Sequence, residues 1–306
     1  MPPPEHPVYG KVTQVFPGKK QVPLEGLYLA QGLAGLSARI ARPLVIADYL
    51  TDRNGVIAKK NAQDHLQVPP EIKNPSDWRL FQELMAQADV IIGGADYLKR
   101  VLAQGDRAQD ILFQFEPGRA FEKLGQWRLA AGFKKRSPDL AIIARSLDFE
   151  FPEGVLGSGR RVIIFTTDVL ANSARAAALT ASGAFVHGSG EAGVDGNRMI
   201  DYLGHGLGYH VIMMATGPSV LELLLEANRL DLLYITEAQV EIPFADLADV
   251  QTILPEGKKE DALKEFGLTH QYLQENGTAE NGSFISQVFR RYDRKGVLVD
   301  RPLDAS

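Results

Sequence analysis

The stretch HVIMMATGPSVLELLLEANRLDLLYITEA, residues 210–238, decides the fold. An apolar run from His210 to Ala215 leads through Thr216, Gly217, Pro218 and Ser219 into VLELLLEA, and a second apolar run, Leu232 to Thr236, follows Asn228 to Asp231. The spacing predicts strand, tight turn, helix, strand. Ser219 with Glu222 three residues on reads as a capping box, the hydroxyl satisfying one orphan amide and the carboxylate another. The helix is apolar on nearly every side, which places it between layers. Its start, preceded by Gly217, suits an anion or phosphate. A buried strand-helix-strand unit of this kind points to an α/β nucleotide-binding domain.

Upstream, the same grammar repeats. Pro43–Ala47 reads as a strand, and Asn54-Gly55 before Val56–Ala58 marks a tight turn, because both residues tolerate positive φ. Asn74 and Pro75 open a helix carrying Trp78, Phe81, Leu84, Met85 and Ala88 at helical spacing, with the two aromatics expected in the core. Val90–Ile92 is a short buried strand running into Gly93, Gly94 and Ala95, followed by a helix at Tyr97–Ala103. Glycines at such a strand end either let backbone amides face a ligand or simply make the turn. Residues 104–135 look like an elaboration on the sheet.

Leu140–Ala144 and Arg161–Phe165 read as two more buried strands, with Arg145 and Ser146 in the loop between them. The second ends in Thr166, Thr167 and Asp168, where hydroxyls either meet a ligand or cap the alanine-rich helix predicted over 169–181. After a strand at Gly183–His187 comes GSGEAG, residues 188–193. It matches a dinucleotide fingerprint by spacing, but residues 194–197 continue as loop where that fingerprint requires a helix, so we read it as a decoy. A helix over 198–207 follows. Short strands are expected at 240–243 and 252–254, a polar segment up to Gly282, and a half-exposed hairpin made of 284–292 and 295–299.

The chain of 306 residues carries a net charge of -5 and no cysteine, so disulfides, thiolate chemistry and cysteine-based zinc sites are out. No global basic field argues for nucleic acid, and FKKR at 133–136 is too short to change that. No run is long enough to span a bilayer, and MPPPEHP at the start lacks the regions of a signal peptide; the expected address is the cytoplasm. Six scattered histidines, with no ligand-like pair beyond His205 and His210, argue against a metal site. The expected organisation is an N-terminal arm, 1–40, and a single domain, 41–306.

In this order, RPLVIA at 42–47 with NGVIA at 54–58, Asp77 heading a helix that ends in ADVIIGG at 88–94, VIIFTT at 162–167, and GPSVLELLL at 217–225 with Leu230 and Asp231 resemble the reductase domain of riboflavin biosynthesis. The resemblance covers residues 42 to 300. It implies the dihydrofolate reductase-like fold, a central, mostly parallel sheet with helices on both faces and a C-terminal antiparallel hairpin. It also implies NADPH as hydride donor, a small-molecule substrate and a homodimer. Carried over, Gly93, Gly94 and Ala95 would line the pyrophosphate and nicotinamide side of the cofactor. Thr166 and Thr167 would contact its adenosine half, and Gly217, Pro218, Ser219 and Val220 would present amides to its phosphates. The turn from Asp52 to Gly55 would face nicotinamide and substrate, with Asp52 as candidate acid or mere turn-former, and Asn54 beside it. Arg145 and Ser146 are candidates for a 2′-phosphate.

The chain departs from the family in three places. Asp52-Arg53-Asn54-Gly55 stands for Ser-Leu-Asp-Gly, Ala215-Thr216-Gly217 for Glu-Gly-Gly, and the segment that serves the substrate phosphate is not recognisable after Gly94. The leading expectation is an NADPH-dependent reductase of a small carbonyl or imine, or of a pyrimidine-linked ribosyl group. The alternative is a non-catalytic dimeric relative that keeps nucleotide binding.

Overall fold

A computed structural model describes residues 9–62, 64–95, 115–151, 155–156, 159–254 and 258–298. The chain divides into two compact units. The first comprises residues 1–32, 47–83 and 231–306, and the second residues 33–46 and 84–230.

The second unit is built on parallel strands. β3 (Leu44–Thr51) starts in it, and β6 (Val90–Gly94), β7 (Asp139–Ile143), β8 (Val162–Thr166), β9 (Phe185–Gly188) and β10 (Val211–Met214) follow in the spatial order β3-β10-β6-β7-β8-β9. The ladders from β10 through β6, β7 and β8 to β9 are all parallel. β6, β7, β8 and β10 are buried on both faces and need no alternation, which is why they read as continuous apolar runs. The helices of this unit are α1 (Leu33–Ile40), the end of α2 (Pro75–Gln87), α3 (Glu122–Ala130), α4 (Asp168–Ala171), α5 (Ala174–Ala181), α6 (Gly196–Asp201) and α7 (Pro218–Glu226). α5 seals one core cluster, Ala176 and Leu179 meeting Ile142 and Ile164.

The first unit is antiparallel. β1 (Lys11–Phe16), β2 (Lys20–Pro23), β11 (Leu232–Ala238), β13 (Phe266–Thr278) and β14 (Phe284–Arg294) lie in the order β2-β1-β13-β14-β11, each neighbouring pair antiparallel. A small second sheet joins β12 (Val250–Thr252), β4 (Val56–Lys60) and β5 (Leu66–Gln67). A further helix, α8, spans Lys258–Lys264. Val56, Ile72, Ala238, Ile242, Ala279 and Ile285 form the core beneath that small sheet.

The expected fold class holds: an α/β chain with a parallel sheet, flanking helices and a long C-terminal antiparallel hairpin. Several local expectations are corrected. The hairpin pairs β14 with β13, from the segment read as polar, and residues 295–297 form a turn. Residues 240–243 form no strand, and the strand expected at 252–254 lies at Val250–Thr252. The alanine-rich helix is broken in two, because Ser173 accepts from the amide of Ala176 and starts a new helix. The helix expected over 198–207 begins at Gly196, capped by Asp195, and relaxes at Tyr202–Gly206 into a π-helical turn. Trp78 is 40% exposed and stacks on Phe81, while Leu80 and Leu84 take the core positions. α7 buries one face, Val220, Leu221 and Leu224, and not every side. The helix expected at Tyr97–Ala103 lies outside the described residues.

Candidate functional site

In the second unit the carboxyl ends of β6 and β10 lie side by side. The amide of Ala215 donates to the carbonyl of Ile92 at 3.0 Å, extending the ladder past β10. Gly93 and Gly94 stay within β6, opposite Ile142 and Ile143 of β7. They are strand residues and not the turn. Gly94 has its own steric reason: a Cβ there would stand 3.3 Å from Oγ1 of Thr216. Two glycine-containing segments distant in sequence thus meet at one end of the sheet. Ala95 packs beside them on the cluster around Ile142 and Ile164.

α7 starts at the same end. Gly217 is its N-cap, with extended ψ of 177° and no side chain to cap the first turn, and Pro218 takes the first helical position. The capping box expected from Ser219 and Glu222 is not formed. Proline favours the first helical position, its missing N–H being one of the orphans there, so the helix starts one residue before Ser219 and leaves that side chain exposed inside the first turn. Val220 is buried and its amide reaches back to the carbonyl of Gly217 at 3.3 Å. The first turn of a helix carries a partial positive charge on such amides.

At the end of β8, Thr166 is fully buried and its hydroxyl has no protein partner. Thr167 caps α4, its hydroxyl accepting from the amide of Leu170 at 3.3 Å. Arg145 and Ser146 are exposed, in the loop after β7. The structure joins the end of β8 to the glycine-rich loop at 188–193, which is loop up to Asp195 and opens no helix within the fingerprint. The amide of Asp168 donates to the carbonyl of Gly190 at 2.8 Å, and Arg198 grips the Asp168 carboxylate at 2.9 and 3.1 Å. The hydrogen bond from Arg198 holds Asp168 below the usual carboxylate range. Glycines here serve packing: a Cβ on Gly188 would lie 2.7 Å from Asp168, and one on Gly190 2.0 Å from the carbonyl of Gly193. Sequence reasoning missed His187, stacked on Tyr202 at 3.7 Å, its pKa lowered by burial and then by Arg198. No spacing pattern links those two residues.

In the first unit, the turn after β3 is held by Asp52. One carboxylate oxygen accepts from the amides of Asn54 and Val56, each at 2.8 Å, and the other from Ile242 at 2.8 Å. Asp52 is 1% exposed, Asn54 is exposed, and Gly55 takes the left-handed φ of 81°. Of the two parts expected for Asp52, this geometry supplies the turn-former: a carboxylate engaged by three amides and shut from solvent is poorly placed to pass a proton. Among the described residues, burial displaces the carboxyl groups of Asp48 and Asp77 upward, neither singled out by sequence reasoning as an acid. Among the described residues, no group of three or more His, Cys, Asp and Glu could hold a metal ion, and no helix is long and apolar enough to cross a membrane.

No protein-family model matches the chain, and no curated protein does. Among solved structures it is similar to a pyrimidine reductase-like protein from Corynebacterium diphtheriae, with a TM-score of 0.55 and 20% identity over 84% of this chain and 93% of that one. RibD of Acinetobacter baumannii, in its second form, aligns with a TM-score of 0.54 and 12% identity over 87% of this chain and 62% of that one, so the chain spans less than two thirds of that protein. The riboflavin biosynthesis reductase Rib7 of Saccharomyces cerevisiae aligns with a TM-score of 0.50 and 13% identity over 86% and 99%. At these identities the likeness is one of fold. The resemblance to the riboflavin-biosynthesis reductase domain holds in three dimensions, as a likeness of fold.

Proposed function

We propose that the chain is an NADPH-dependent reductase, similar to the pyrimidine reductase of riboflavin biosynthesis, that transfers hydride to a small carbonyl or imine or to a pyrimidine-linked ribosyl substrate. The observation that carries this reading is the meeting of Gly94 with Thr216 at the start of α7, whose N-cap is Gly217. Adjacent parallel strands end there beside a helix N-terminus, the place where open α/β sheets take nucleotides. The residues fit the cofactor: the Gly93-Gly94 backbone carries no side chain to bar close approach, and Gly217, the N-cap of α7, brings none to its first turn.

In this reading Gly93, Gly94 and Ala95 hold the pyrophosphate and nicotinamide side, Gly217, Pro218, Ser219 and Val220 offer amides to phosphates, and Thr166 and Thr167 serve the adenosine half. Thr167 has its hydroxyl engaged as a cap, which leaves Thr166 as the hydroxyl with bonding capacity to spare. Arg145 and Ser146, both exposed, are the candidates for a 2′-phosphate. Bound NADPH supplies the hydride. The protein's share is orientation and exclusion of water; Asp52 fixes the turn that presents Asn54. A homodimer and a cytoplasmic address belong to the same reading.

Fluorescence titration with NADPH and NADH tests it. Micromolar binding of NADPH is expected, and micromolar binding of neither nucleotide would sink the proposal. Gly217→Leu should weaken NADPH affinity at least tenfold, about 1.4 kcal/mol; unchanged affinity in the folded variant would show that the phosphates sit elsewhere. Tight binding without turnover on any carbonyl, imine or pyrimidine substrate would favour the non-catalytic relative.

A further inference from the structure

A cleft of about 650 Å³ opens in the first unit between the start of α2, β13 and the strand pair β1 and β2. Its size is that of a small-molecule site, about 300–1,000 Å³. None of the residues assigned above to the cofactor lines it. One buried amide ties two of its walls together. Gln287 on β14, fully buried, donates to Oδ1 of Asn74, at the head of α2, at 3.0 Å and to Oε1 of Gln274 on β13 at 2.6 Å. A Cβ on Gly277, also in the lining, would stand 3.3 Å from that same nitrogen.

The first turn of α2 keeps hydrogen-bond donors in reserve. Pro75 has no N–H, the amide of Asp77 goes to Oδ1 of Asn74 at 2.8 Å, and that of Trp78 to the Asn74 carbonyl at 3.2 Å. What remains is Ser76, which lines the cleft and is 8% exposed; its amide and hydroxyl have no protein partner among the described residues. Donors enclosed to that degree call for a partner from outside the chain. The helix start adds partial positive charge, which favours an anion. Lys11, exposed on β1 and in no ion pair among the described residues, brings a full positive charge to the same cleft. The other side of the lining differs: Thr13 and Gln21, bonded to each other at 2.8 Å, with Gln274, Asn276 and Glu275. Those groups suit hydroxyls, and the carboxylate of Glu275 repels a second negative charge.

We propose that this cleft binds a small hydroxylated phosphate monoester, a sugar or polyol phosphate, with its phosphate on Ser76 and Lys11 and its hydroxyls on the amide-lined side. A phosphate offers three terminal oxygens to the Ser76 amide, the Ser76 hydroxyl and the Lys11 ammonium, where a carboxylate offers two. The site does not rest on the reductase reading.

Calorimetric titration of the full chain with glucose 6-phosphate, gluconate and glucose tests it. Glucose 6-phosphate is expected to bind with Kd below about 1 mM, at least tenfold more tightly than gluconate or glucose. Ser76→Ala and Lys11→Glu should each weaken it at least tenfold; Lys11 is exposed on its strand, so that variant keeps the test decisive if Ser76→Ala fails to fold. Gly217→Leu, directed at the cofactor, should leave this affinity unchanged, so that failure of either reading is seen apart from the other. Absence of binding at millimolar glucose 6-phosphate, equal affinity for gluconate or glucose, or wild-type affinity in either folded variant would overturn the proposal.

Discussion

Asp52 shows how a residue type suggests one role and its bonds assign another. A carboxylate beside a glycine turn reads as a candidate acid, but its oxygens accept three backbone amides from Asn54, Val56 and Ile242. Asp52→Ala strands those donors in a site that is 1% exposed, and should cost about 3 kcal/mol by denaturant unfolding. A loss below about 0.5 kcal/mol would mean the turn is held by something else. The sequence could not disclose this, because one of the three partners comes from 190 residues away. Gly94 is the opposite case. Its residue type was legible at once, yet its reason is the distant Thr216 side chain.

Helices and strands were legible where their own side chains carry the signal. α2 opens where Asn74 and Pro75 announce it, the Asn74 side-chain Oδ1 accepting from the amide of Asp77 at 2.8 Å. Its other end is set by tertiary structure: Arg128 of α3, 2% exposed, donates to the carbonyls of Ala86 and Ala88 at 2.8 and 2.6 Å and lies over the ring of Phe133. Burial lowers the pKa of this guanidinium to about 10. Arg128→Met, which keeps much of the bulk but none of the donors, should destabilise the protein by about 2 kcal/mol, read as a shift of the unfolding midpoint. An unchanged midpoint would show that water serves those carbonyls equally well. β13 escaped detection for a related reason. Its burial follows no alternation, and register shifts at Leu268/His270 and Gln274/Gly277 break the period of two on which a strand is recognised. Backbone pairing to β1 on one side and β14 on the other makes it a strand.

For the whole molecule, the reductase reading carries a homodimer, and light scattering should give twice the chain mass of 33.5 kDa; the mass of a single chain at micromolar concentration would remove that part. The sequence by itself determined the α/β class, the order of the parallel strands along the chain and the glycine positions at strand ends. These are properties of apolar runs and turn residues, whose physics is local. Tertiary structure decided the rest. It brought Gly94 to Thr216 and the end of β8 to the loop at 188–193, and gave Asp52 three amides. Each of those depends on which distant backbone or side chain fills the space beside a group. Burial and bonding there depend on neighbours that the chain supplies only once folded.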